Sequence, residues 1–95
     1  MNKYEVMIIF QPELDEKQIQ DQIKNFKDKV SLFEGKIISE DIWGLRNLAY
    51  QIKKKTKGYY FISNFELEKS KVSDLSNWLR FENEAVLRNM ITVIN

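Results

Sequence analysis

Arg46, Lys53, Lys54, Lys55 and Lys57 are the only charged side chains between Ile42 and Phe65, and all five are positive. Elsewhere ten basic residues face all fourteen acidic ones, in a chain whose net charge is only +1. A single cationic arm on a mildly acidic body suits docking on phosphates in one orientation. Arginine forks two hydrogen bonds onto a phosphate, whereas lysines supply mobile positive charge. The plainer alternative is a hairpin kept soluble by its lysines. Lys53, Lys54 and Lys55 are consecutive and cannot all point one way on a strand, so at least one faces solvent or a partner. Tyr50 could stack on a splayed base or pack across the hairpin onto Tyr59.

Composition removes most other chemistry. The 95 residues contain no cysteine and no histidine, which excludes thiolate nucleophiles, disulfides, the commonest general base and the commonest transition-metal ligand. Glu13, Asp15 and Glu16 crowd a helix start, where negative charge serves the helix dipole, and no metal or other cofactor is expected. The N-terminus has no apolar run of signal-peptide length, and no segment approaches the roughly 20 apolar residues that span a bilayer. The expectation is a cytoplasmic protein with no membrane partner and no small-molecule substrate.

The elements that must position the arm follow from periodicity. Lys3 to Phe10 alternates, with Tyr4, Val6, Ile8 and Phe10 on one face and Glu5, Met7 and Ile9 on the other. Asp15 and Gln18 form a capping-box signature before Ile19, Ile23, Phe26, Val30 and Phe33, and Gly35 is read as the left-handed stop. A second strand runs from Lys36 through Ile37, Ile38, Ile42 and Trp43 toward Leu48. A third covers Gly58 to Leu67, leaving the cationic arm between them. Ser70 is placed as the cap of a second helix carrying Val72, Leu75, Trp78 and Leu79; Asn83 lies in its exit loop, and Val86 to Ile94 is the last strand. The order β-α-β-β-α-β is the α+β, ferredoxin-like pattern: one domain over residues 1–95, a four-stranded antiparallel sheet with both helices on one face. The other face stays open. Burying Phe61 and Phe65 against the helices sends Tyr60 and Ile62 to that open face, beside Glu5, Met7 and Ile9, as a surface for a partner.

Over its whole length the chain resembles the sixth protein of the bacterial small ribosomal subunit. The resemblance rests on Tyr4-Glu5 with Pro12, on Gly44-Leu45-Arg46-Asn47-Leu48-Ala49-Tyr50 with Ile52, Lys53 and Gly58-Tyr59, and on Leu79-Arg80 followed by Val86-Leu87-Arg88. It implies a structural, non-catalytic ribosomal protein that binds the central domain of 16S ribosomal RNA as a pair with the eighteenth protein of the same subunit. By this resemblance Lys3, Arg80 and Arg88 join the arm as RNA-binding candidates, although Arg80 also suits a helix C-terminus. Glu5, on the open face, would meet a basic partner peptide. Two departures stand out. Gln51 replaces the proline common after the tyrosine, so pairing beyond Tyr50 is expected to be more regular. No acidic tail follows Asn95, and a function tied to such a tail is expected to be missing.

Three rivals share the fold. Lys57-Gly58-Tyr59-Tyr60-Phe61-Ile62 imitates the first ribonucleoprotein motif of an RNA-recognition module, but Tyr60 fills the small-residue slot and Met7 stands where strand one should offer an aromatic. An acylphosphatase-like hydrolase would need a glycine-rich phosphate loop with an arginine near strand one, which is absent. A regulatory domain dimerising through its open sheet would use Met7, Ile9 and Ile62.

Overall fold

The computed structural model describes residues 1–94; Asn95 lies outside the described residues. Four strands and two helices follow one another as β1 (Asn2–Phe10), α1 (Glu16–Leu32), β2 (Lys36–Ile52), β3 (Lys55–Leu67), α2 (Lys69–Phe81) and β4 (Val86–Ile94). The antiparallel sheet has the order β2-β3-β1-β4, so β1 lies between β3 and β4 while β2 and β4 are edges. Tyr4, Val6, Ile8 and Phe10 of β1 and Phe61, Phe65 and Leu67 of β3 share one buried cluster with side chains of both helices. Both helices therefore cover the same face, as the alternation requires. Phe26 of α1 packs edge-on against Phe61 and Phe65, at 6.0 and 5.9 Å between ring centres.

The capping box forms as the spacing predicts. Asp15 Oδ1 accepts from the Gln18 amide at 2.8 Å, and Gln18 Oε1 accepts from the Asp15 amide at 2.9 Å. The other end of α1 differs by one residue from the sequence reading. Glu34, not Gly35, has the left-handed backbone, with φ 64. The Gly35 amide donates to Val30 O and the Glu34 amide to Ser31 O, the paired bonds of a Schellman cap with glutamate in the usual glycine place. Gly35 is needed for a different reason. A Cβ there would lie 2.6 Å from the Glu66 carbonyl oxygen and 2.8 Å from Leu67 Cδ1, so it lets the helix end approach β3. Glu34→Gly should raise stability by about 0.5–1 kcal/mol, the relief of a strained φ less the added freedom of the unfolded chain, and urea unfolding would show it.

Ser70 is not the cap of α2. Glu68 occupies that position without a side-chain bond, and Ser70 lies inside the first turn. Strands β2 and β3 also run further than expected, absorbing most of the cationic arm. Their pairing shifts between Ile37 and Ser39, between Ile42 and Gly44, and between Asn47 and Ile52. Such bulges bend an edge strand and deny it to other chains. Ser63, fully buried, donates its hydroxyl to Ser39 O at 2.8 Å and ties down the first of them.

Candidate nucleic-acid interface

The arm is a β-hairpin. Lys53 and Lys54 are the two residues of its turn, with φ 51 and 66, the positive values of a type I′ connection where Asn-Gly is the usual choice. Below the turn Ile52 pairs with Lys55, and regular pairing resumes only at Asn47 with Lys57 and Arg46 with Gly58. Pairing beyond Tyr50 is thus less regular than Gln51 led us to expect. A backbone donor permits a ladder bond, but the ladder is decided by where the hairpin end must go. It goes across the open face. Arg88 of β4, on the far edge of the sheet, donates to the Tyr50 hydroxyl and lies 5.7 Å from its ring centre. Tyr50 remains 63% exposed, whereas Tyr59 packs toward the helices, so the two tyrosines do not meet.

This lean gathers cations that are distant in sequence. Lys53 from the turn, Arg80 from the end of α2 and Arg88 from β4 line one cleft of about 610 Å³. None of the three forms an ion pair among the described residues. Arg46 sits apart on the open face. Its guanidinium lies 5.1 Å from the Trp43 ring centre, its Nε donates to Trp43 O at 3.3 Å, and Trp43 stacks on Tyr60 at 6.3 Å. Asp41 fixes the indole by accepting its N–H at 2.9 Å. Gly44, with φ 82, makes the bulge that brings Trp43 and Arg46 to the same side.

The other basic candidates separate from this group. Lys55 and Lys57 alternate with Gly58 and Tyr60 and so emerge on the helix side of the sheet. Lys55 is held there by Glu13 of the β1–α1 loop. The hydrogen bond from Lys55 holds the Glu13 carboxyl below its ordinary range. That contribution is present at neutral pH and is lost as pH falls through the lowered value. Lys54 is exposed at the turn. Lys3 lies at the opposite end of β1, in register with Glu66 and Ile94, and does not join the cleft.

On the open face Glu5, Met7 and Ile62 line a shallow groove with Asp41, Trp43 and Met90. Its floor is apolar and its rim carries two carboxylates. Ile9 belongs to this face but is not available: it is only 4% exposed. A Cβ on Gly58 would fall 2.3 Å from Ile9 Cγ2 and 3.4 Å from Leu48 Cδ2, so the bent hairpin end covers Ile9 where Gly58 leaves room. Phe61 is fully buried on the opposite face, which removes the stacking platform of an RNA-recognition module.

The family model for Ribosomal protein S6 matches residues 3–93. The chain belongs to the ribosomal protein S6 family. Small ribosomal subunit protein bS6 of Azobacteroides pseudotrichonymphae is 40% identical over 88 residues, covering 93% of this chain and 78% of that protein. The Streptomyces griseus protein of the same name is 40% identical over 91 residues, covering 96% and 94%. The crystal structure of 30S ribosomal protein S6 from Thermotoga maritima superposes with a TM-score of 0.91 at 26% identity, over 98% of this chain and 87% of that one. Membership makes this a small-subunit ribosomal protein of the bacterial cytoplasm rather than an enzyme.

Within this S6-family chain, sequence reasoning missed Asp41, Trp43 and Met90. Strict alternation puts Trp43 and Arg46, three residues apart, on opposite faces. Only the glycine between them hinted at the bulge that reverses this. Met90 faces Met7 in register and is 55% exposed on an edge strand, a placement set by strand pairing rather than by a local pattern.

Proposed function

We propose that this protein binds the central domain of 16S ribosomal RNA by shape and phosphate contact, jointly with the eighteenth small-subunit protein docked on its open sheet face. The observation that carries the reading is the cleft: Lys53, Arg80 and Arg88 come from three separate elements and share one concavity without a carboxylate partner among the described residues. Like charges converge in this way where an anion is to be held. Arg46, already oriented on Trp43, adds a further fork on the open face. Deep-groove base reading is unsuited to this surface, because the A-form major groove is too narrow for it. The acidic rim of Glu5 and Asp41 around an apolar floor favours a basic, partly apolar protein as the neighbour on that face.

Titration of a central-domain RNA fragment across a salt series, with the eighteenth small-subunit protein present, tests the reading. Four or five phosphate contacts predict that log affinity falls with log salt at a slope of roughly −3 to −5, and a flat response would refute it. Lys55 has a conditional part. Its pairing with Glu13 competes with phosphate, so Glu13→Gln is expected to steepen that slope by up to about one unit.

A further inference from the structure

Phe81 ends α2 with its ring 70% exposed, yet it lines the same cleft as Lys53, Arg80 and Arg88. A single exposed aromatic is ordinary on a protein surface. Its setting is not. The guanidinium of Arg80 lies over the ring, 5.1 Å from its centre, so a largely exposed apolar ring and a cation without an ion pair among the described residues are presented together. One nucleotide needs both: a surface for its base and charge for its phosphate.

We propose that this cleft seats a single unpaired nucleotide, with its base stacked on Phe81 and its phosphate among Lys53, Arg80 and Arg88. The proposal rests on the RNA reading above and narrows it to one kind of RNA feature. A base within a helix has both faces covered by its neighbours, so only a base splayed from a bulge, loop or helix end can use the ring. Stacking on a phenyl face is tolerant of base identity, and the seat therefore recognises an unstacked nucleotide rather than a sequence.

The test compares Phe81→Ala, Phe81→Leu and Phe81→Tyr in binding a central-domain RNA fragment at fixed salt with the eighteenth small-subunit protein present, and thermal unfolding is the control for folding. The stack predicts a loss of roughly 5- to 150-fold for alanine, a similar loss for leucine and recovery with tyrosine. It also predicts an unchanged salt slope in all three, because no charge is removed. Alanine binding as tightly as the wild type would overturn the seat. So would leucine serving as well as phenylalanine, which would mark Phe81 as an apolar contact for a protein partner. Failure of the RNA reading looks different: the wild-type protein would then not bind the fragment even with the eighteenth small-subunit protein present. Loss of binding on neutralising Lys53, Arg80 and Arg88, without loss on Phe81→Ala, would keep that reading and remove the seat.

Discussion

Phe61→Ala is expected to destabilise the fold by about 3–5 kcal/mol while leaving RNA affinity per folded molecule nearly unchanged. Phe61 has no exposed surface, its ring meets Phe26 edge-on at 6.0 Å, and its backbone pairs with Ile8 on one side and Ile42 on the other. Removing the ring leaves a cavity between α1 and the centre of the sheet. A cost of this size is a large part of the roughly 5–15 kcal/mol that holds a small domain together. Urea unfolding measures it directly. Stability close to wild type together with weakened RNA binding would mean that the ring stacks on a base, and the face assignment of β3 would then be wrong.

The second large effect concerns charge. Converting Lys53, Arg80 and Arg88 together to glutamine should reduce the steepness of the salt dependence by roughly two to three units and weaken RNA binding most at low salt. All three side chains are exposed and none is in an ion pair among the described residues, so the fold should lose no more than about 1 kcal/mol. Lys3→Gln and Lys57→Gln serve as comparison, since one lies at the far end of β1 and the other on the helix side of the sheet. They should change binding less. Equal losses from the triple variant and from the comparison pair would show that RNA senses overall charge and not the cleft.

Much of this was legible in the residues. The period of two over Lys3 to Phe10 and the four-three repeat from Ile19 to Val30 each identify a buried face, because one side of each element must leave water. The same logic separated Phe61 and Phe65 from Tyr60 and Ile62. What stayed hidden depends on contacts between residues far apart in sequence. The left-handed place at the end of α1 fell to Glu34 because Gly35 was required for the approach of Glu66 and Leu67, and no local pattern records that demand. Pairing Lys53 with Arg80 and Arg88 depends on a bulge that tilts the hairpin end, and Ile9 is covered by the same tilt. Family resemblance supplied Arg80 and Arg88 as candidates; only the fold brings them together with the turn lysine.

The central claim is that one face receives a protein partner while the adjoining cleft receives RNA phosphates, so that the two bind better together than apart. The most direct measurement is binding of a central-domain 16S RNA fragment by this protein, with and without the eighteenth small-subunit protein, over a salt series. Tight binding that requires both proteins and weakens steeply as salt rises is the predicted result; no binding in either condition would contradict it and would point to a domain that pairs through its open sheet instead.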